Sequence, residues 1–258
     1  MKTKYPIILA HGIFMKPRFF HVFSYIGKRL CDVGFSVYVA DTDGVGSIEN
    51  NAEHLSLQIS EILERESAPK INIIAHSKGG LEAIYIIENF GMSEKVASIT
   101  TICTPFRGSS VADWVNNLPR PIYSIFIFFS NVFYRLLGDK NPDLRTALNQ
   151  LSLRSDFEKE DILHSHGVYC QSYSSRMHGA MSDPVLSLSY AISTHKEKDF
   201  SDGMVCNKSA RFAEYMGDCL EESISHNEIV CYLTRPSKKK KVAEFYLKLC
   251  NNLAEKGF

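Results

Sequence analysis

Residues 71–80 read INIIAHSKGG and contain the strongest local signal in the chain. An apolar run leads directly to Ser77, and Gly79 and Gly80 follow at once. A buried strand that ends in a serine and turns straight into a helix is typical of a nucleophile elbow. Such a turn requires small residues two positions before and two positions after the serine. Ala75 and Gly79 stand there, so Ser77 is a candidate nucleophile; the alternative is a purely structural serine.

Short apolar runs alternate with amphipathic segments on both sides of this stretch. Runs typical of buried strands cover residues 5–10, 35–40, 71–75 and 96–103, with helical spacing of apolar residues between them. Unbroken runs of isoleucine, valine and alanine suit strands of a sheet that is covered on both faces. The predicted fold class is therefore α/β, with a mainly parallel central sheet and helices on both faces, in a single domain over residues 1–258.

The rhythm breaks after Thr104-Pro105, where residues 114–137 read WVNNLPRPIYSIFIFFSNVFYRLL. The unbroken apolar part, residues 122–129, is far shorter than the ~18 residues that a membrane span needs. Further helical spacing follows at residues 144–153 and 157–163. We predict a helical cap or lid inserted over roughly residues 106–165; ordinary core packing of an insertion is the alternative.

Charge and cysteine usage give no indication of a nucleic-acid partner, a zinc site or a disulfide framework. Lysine plus arginine and aspartate plus glutamate both total 29, so the net charge gives no reason to expect a nucleic acid. Seven cysteines without CxxC pairs suggest neither a zinc site nor a disulfide framework. No export signal is recognisable, so we expect a reducing, cytoplasmic location, although a chain whose signal had been removed would look the same. No obligatory protein partner is inferred.

A serine nucleophile needs a histidine base that is oriented by a carboxylate. After a nucleophile elbow the acid comes first in the chain and the histidine last. Five histidines follow Ser77: His164, His166, His178, His195 and His226. His226, nearest the C-terminus in SHNE, is favoured as base, and Asp202, in the turn FSDGMV, as its carboxylate. A surface histidine and an ordinary turn aspartate are the alternatives.

Two backbone amides are candidates for an oxyanion hole. The amide of Lys78, directly after the nucleophile, is one. The other is the amide of Ile13, in the loop HGIF at residues 11–14, where a glycine permits close backbone approach. We expect His11 to be a structural residue of this loop, and the Lys78 side chain to be solvated at the start of a helix.

Four separated segments resemble the bacterial true-lipase family of α/β-hydrolases. They are YPIILAHG (5–12), IIAHSKGG (73–80), ITTICTPFRGS (99–109) and SDGMV (201–205), and His226 completes the set. The likeness spans roughly residues 5–233 in the family's order. By this resemblance, Ser77, Asp202 and His226 match the positions of the family's catalytic triad, and Ile13 and Lys78 match those of its oxyanion donors.

The resemblance also implies a substrate class, namely acylglycerols and other fatty acyl esters under a helical lid. Four phenylalanines are predicted to contact the acyl group: Phe14, Phe106, Phe126 and Phe129. Phe106 departs from the family, which usually has histidine there. Some members bind calcium, but the rough counterparts here are Asp183 and Glu228, and glutamate in place of aspartate speaks against a metal. No cofactor is predicted.

The expected activity is therefore ester hydrolysis through an acyl-enzyme, on a small-molecule or lipid ester. Acyl transfer to another alcohol, cleavage of an amide and a catalytically silent lipid-binding protein remain alternatives, because one geometry serves all acyl transfers. Transient contact between the aromatic insertion and a lipid surface is a further expectation.

Overall fold

A parallel sheet of six strands forms the centre of the protein in a computed structural model, which describes residues 2–152 and 166–258. The strands are β1 (Ile7–Ala10), β2 (Val37–Val39), β3 (Ile71–His76), β4 (Val96–Ile102), β5 (Tyr169–Ser174) and β6 (Glu214–Asp218). Their order is β2-β1-β3-β4-β5-β6, and every neighbouring pair is parallel. The predicted parallel sheet is confirmed.

Helices connect the strands. The described α-helices are α1 (Pro17–Phe20), α2 (Ser24–Asp32), α3 (Ile48–Glu66), α4 (Lys78–Phe90), α5 (Ser110–Asn116), α6 (Arg120–Leu136), α7 (Leu144–Gln150), α8 (Ser187–Glu197), α9 (Asn207–Ala210) and α10 (Pro236–Glu255). Short 3₁₀ helices lie at Met92–Glu94, Ala180–Ser182, Pro184–Leu186 and Glu228–Val230.

The two faces of the sheet belong to two apolar clusters, because successive residues of a strand point to opposite faces. Ile8 and Ala10 of β1 pack with buried residues of α3 and α4. Ile7 and Leu9 pack with buried residues of α2 and α10. Helices therefore cover both faces of the sheet, which confirms the predicted fold class.

Helices α5, α6 and α7 lie within the predicted insertion. In α6, Tyr123, Ile127 and Tyr134 are buried, and several large apolar side chains on the other side are exposed. Among the described residues, no helix combines the length and apolarity needed to cross a bilayer. Residues 153–165, including the predicted helix at 157–163, lie outside the described part, and a lid role for this region stays a prediction.

Candidate active site

The candidate residues gather at one edge of the sheet. Ile13 follows β1, Ser77 follows β3, Asp202 lies between β5 and β6, and His226 lies between β6 and α10. In a parallel sheet the carboxyl ends of the strands share an edge, and open α/β sheets bind their ligands outside that edge. Sequence positions far apart in the chain thereby become neighbours.

Ser77 occupies a strained turn between β3 and α4. Its backbone has φ 54° and ψ −129°, and α4 begins at the next residue. Close packing explains the glycines nearby: a Cβ on Gly12 would lie 2.6 Å from the Ser77 Cβ, and one on Gly79 would lie 2.6 Å from the His11 carbonyl oxygen. Strained backbone of this kind persists only where its surroundings hold it, as at reactive sites.

A hydrogen-bonded carboxylate holds the imidazole of His226. The Nδ1–H of His226 donates to Asp202 Oδ2 over 2.7 Å, and the His226 amide donates to the Asp202 carbonyl over 2.9 Å. The other carboxylate oxygen, Oδ1, accepts from the amides of Met204 and Val205 at 2.9 and 2.8 Å. Both side chains are buried. Asp202 is thus fixed from both oxygens, and the Nε2 of His226 is left to accept a proton.

Ser77 and His226 line the same narrow cavity. Its volume of about 110 Å³ has room for several water-sized groups. The other lining residues are mainly apolar: Ile13, Phe14, Pro105, Ser109, Val111, Ala112, Val115, Phe126, Leu148, Leu151, Met204 and Val205. An apolar pocket that opens onto a serine and a histidine suits an acyl chain joined to a reactive carbonyl.

Two of the four predicted substrate-binding phenylalanines do not line this cavity. Phe14 and Phe126 do line it. Phe106 is buried in the core instead, where its ring stacks on Phe212 with ring centroids 4.2 Å apart. Phe129 is 64% exposed on the outer side of α6. The lining residues from α5 and α7 were not predicted from the sequence, because helical spacing alone does not assign a residue to a pocket.

The loop that carries Ile13 has an unusual conformation at the next residue. Phe14 has φ 61°, and its amide donates to the Gly44 carbonyl over 2.8 Å. The amides of Ile13 and Lys78 make no hydrogen bond to other groups within the described residues. Amides that are not used by the fold remain free to donate to a developing oxyanion, which is the role that the sequence predicts for these two.

The Lys78 side chain is buried rather than solvated, which corrects the expectation from sequence. It pairs with Glu82 one turn along α4, and both side chains are at most 1% exposed. Asn51 of α3 donates from Nδ2 to Glu82 Oε1 over 2.9 Å. The Lys78–Glu82 pair and the Asn51 side chain together fix the first turn of α4. The backbone amide of Lys78, the candidate oxyanion donor, lies in this turn.

Replacement of Glu82 by glutamine is expected to lower the free energy of unfolding by about 3–5 kcal/mol, because the Lys78 ammonium would stay buried without its counter-charge. Urea denaturation measures this loss. Lys240→Met removes an exposed partner of Glu244 at the same spacing and should cost less than about 1 kcal/mol. An equally small effect of both substitutions would contradict the role given to the buried pair.

Two further histidines beside the site are neutral. Burial lowers the pKa of His76 well below its usual range, and lowers that of His11 as well. The His76 ring lies 4.4 Å from the His226 ring between centroids. His11 contacts the Gly12 carbonyl through Nδ1 and Thr42 through Nε2. Neither ring adds a positive charge at neutral pH, and His11 has the structural contacts expected of it.

Three residues of types that can bind a metal lie close together, and two of them belong to the candidate site itself. Ligand atoms of Cys103, Asp202 and His226 lie within 4.8 Å of one another. However, Asp202 and His226 are hydrogen-bonded to each other, and burial raises the pKa of the Cys103 thiol. A cysteine binds a metal as its thiolate, which a raised pKa disfavours. The donor set therefore fits a histidine–carboxylate pair better than a metal.

The rough counterparts of a calcium site have other partners. Both carboxylate oxygens of Glu228 accept from Lys238 Nζ, at 2.8 and 2.7 Å. Asp183 accepts from Ser225 Oγ over 2.6 Å and from the Val185 amide over 3.0 Å. An ammonium group thus already supplies positive charge beside Glu228, next to the loop that bears His226.

A parallel sheet with a serine at a strand-to-helix turn defines the class of α/β-hydrolase proteins. The family model described as alpha/beta hydrolase fold matches residues 5–203. The chain belongs to this family.

Proteins similar to this chain in sequence include triacylglycerol lipases. A triacylglycerol lipase of Pseudarthrobacter phenanthrenivorans is 36% identical over 160 residues, which cover 58% of this chain and 50% of that protein. Triacylglycerol lipase 2 of Saccharomyces cerevisiae is 28% identical over 253 residues, or 90% of this chain and 73% of that protein. This chain spans about half the length of the Pseudarthrobacter relative.

Solved structures share the fold. A Bacillus licheniformis lipase in its mature form superposes with a TM-score of 0.65 over 96% of this chain and 92% of that one, at 18% identity. At this level of identity the likeness concerns the fold alone.

Proposed function

We propose that the protein is a carboxylic ester hydrolase that acts on fatty acyl esters such as acylglycerols. The observation that carries the proposal is the cavity in which Ser77, at its strained turn, lies with the His226 ring that Asp202 holds. Kinship with triacylglycerol lipases supports the substrate class.

The chemistry would run in two stages. Ser77 Oγ attacks the ester carbonyl carbon while its proton passes to His226 Nε2, and Asp202 remains a carboxylate that stabilises the imidazolium. The amides of Ile13 and Lys78 donate to the oxyanion of the tetrahedral intermediate. Collapse expels the alcohol, which takes the proton from His226. Water then attacks the acyl-enzyme by the same steps and releases the acid.

The outer side of α6 fits contact with the surface of a dispersed lipid. Several of its apolar side chains are strongly exposed: Ile122, Ile125, Phe128, Phe129, Val132, Phe133 and Leu136. Phe126 of the same helix lines the cavity. A single helix would therefore connect a lipid surface to the site where its ester is cleaved.

A series of p-nitrophenyl esters of increasing acyl length tests the substrate class. We expect kcat/KM to rise by about 15-fold for each two methylenes buried, at about 0.8 kcal/mol per methylene, until the pocket is filled. A rate that is flat or falls beyond acetate would contradict a fatty acyl substrate. Absence of turnover for every ester would contradict the hydrolase proposal itself.

The same assay with an emulsified triacylglycerol tests the surface contact. Ile125→Ser combined with Phe128→Ser should lower the rate on droplets at least about tenfold, because two exposed apolar anchors are lost. The rate on a dissolved short-chain ester should stay unchanged. Leu57→Ser, an exposed apolar residue on α3, is the matched control. Equal rates of the variant and the control on droplets would refute the contact.

A further inference from the structure

The C-terminal end of α6 is hydrogen-bonded to the loop that carries the Ile13 amide. The Tyr134 hydroxyl of α6 donates to the Phe14 carbonyl over 2.6 Å. Among the described residues, no other group donates a hydrogen bond to this carbonyl. The residues concerned are separated by 120 positions in the chain, so the contact is a feature of the tertiary structure.

The two peptide groups that flank the Phe14 Cα are therefore both held. The amide of Phe14 donates to the Gly44 carbonyl, and its carbonyl accepts from Tyr134. Phe14 has φ 61°, a left-handed conformation that a bulky residue adopts only at a cost in energy. Hydrogen bonds from other parts of the fold help to offset that cost. Among the described residues, the Gly44 carbonyl and the Tyr134 hydroxyl are the two partners that make them.

Packing fixes the Tyr134 ring against the same loops. A Cβ on Gly44 would lie 2.5 Å from the ring, so glycine is needed there for the ring to fit. The ring is buried and its centroid lies 6.2 Å from that of Phe14. Burial also raises the pKa of the Tyr134 hydroxyl. The hydroxyl therefore stays protonated, and able to donate a hydrogen bond, at neutral and mildly alkaline pH.

A buried ion pair joins the segment after α6 to the loop after β1. Lys16, two residues beyond Phe14, pairs with Asp139 over 3.2 Å, and both side chains are buried. Asp139 also accepts from the Val45 amide over 3.0 Å. The end of α6, the loop after β1 and the loop at Gly44 therefore form one hydrogen-bonded unit. A shift of α6 at this end would be transmitted to the loop.

We propose that Tyr134 is a positioning residue for the oxyanion hole. Its hydroxyl holds the Phe14 carbonyl and thereby fixes the left-handed backbone of Phe14. That backbone in turn keeps the Ile13 amide, which lies two peptide groups earlier in the same loop, aimed at the reacting carbonyl oxygen. The inference rests on the proposed function, since it assigns Tyr134 a part in the same site. If the inference holds, full turnover requires that the C-terminal end of α6 stay packed against the loop that carries Phe14. Tyr134 touches no reacting atom in this account.

Tyr134→Phe tests the inference, because it removes the hydroxyl and keeps the ring. We expect kcat to fall by about 10- to 100-fold, somewhat less than the 10²- to 10³-fold loss for deletion of an oxyanion donor itself. KM should stay within about twofold, because the amide acts on the transition state more than on the bound ester. The affinity for an alkylboronic acid, which forms a tetrahedral adduct on a serine, should fall together with kcat.

Tyr123→Phe is the matched control. Tyr123 is another buried tyrosine of α6, and its hydroxyl donates to Asn116 Oδ1 over 3.2 Å, away from the oxyanion loop. It should lose stability to a similar degree and keep kcat within about twofold of wild type. Rates are normalised to the folded fraction from cooperative thermal unfolding, so that loss of folded protein is not counted as loss of turnover.

Equal kcat in the two variants, or a loss confined to KM or to thermal stability, would overturn the inference. Wild-type protein that turns over no ester would instead defeat the proposed function, and the two failures are therefore distinguishable.

Discussion

Ser77→Ala is expected to lower kcat for any acyl ester by about 10⁵- to 10⁶-fold, to the level that the oxyanion amides and binding alone provide. No other side chain at this turn supplies an oxygen nucleophile, because the flanking residues are His76 and Lys78. Initial rates on the p-nitrophenyl ester series measure the loss.

The fold should survive this substitution. Ser77 makes no side-chain hydrogen bond to the start of α4, and alanine has the same Cβ as serine, so the strained backbone costs both residues alike. Thermal unfolding within about 2 °C of wild type would confirm this, since a shift of that size corresponds to a change in stability of at most about 1 kcal/mol. Retained turnover by a folded Ser77→Ala protein would show that another group is the nucleophile.

Asp202→Asn is expected to lower kcat by about 10³- to 10⁴-fold through the wrong tautomer of His226. The amides of Met204 and Val205 both donate to Oδ1 of Asp202. In the variant, the side-chain oxygen of asparagine must therefore lie where Oδ1 lies, because only an acceptor fits opposite two N–H groups. Its NH₂ group must then face Nδ1 of His226, which can accept only if Nε2 carries the proton. A protonated Nε2 cannot take the proton of Ser77.

Asp199→Asn is the control for this prediction. Asp199 lies three residues earlier and accepts from the Lys208 amide through Oδ2, without contact to His226. It should keep kcat within about twofold, because the asparagine oxygen can still accept from the Lys208 amide at this partly exposed position. If the two variants were equally active, Asp202 would not be the carboxylate that orients the base.

The sequence predicted the elements of the site that depend on local pattern and on chain order. The apolar run before Ser77 and the glycines after it specify a strand-to-helix turn, because few other residues fit there. Chain order alone narrowed nine histidines to five. The structure brings the favoured His226 to Asp202, but their catalytic roles stay predictions until the substitutions are measured.

Features that depend on packing between distant elements were not predicted. Each residue turns a helix by about 100°, so Phe129 lies about 200° from the buried Ile127 and faces outward. Only the packed structure identifies which side of an aromatic helix is inward. The burial of Lys78 likewise depends on Asn51, which lies in another helix and contacts Glu82. Tyr134 gave no signal at all, since its partner is a backbone carbonyl.

The central claim is that Ser77 is the nucleophile and that it depends on His226 for its reactivity. Reaction with a fluorophosphonate, followed by mass spectrometry of the peptides, tests this most directly. The account predicts a single adduct on Ser77 in wild-type protein, with labelling slowed by about 10³-fold or more in His226→Ala because the base is missing. An adduct on a different residue, or labelling of Ser77 at the same rate without His226, would contradict it.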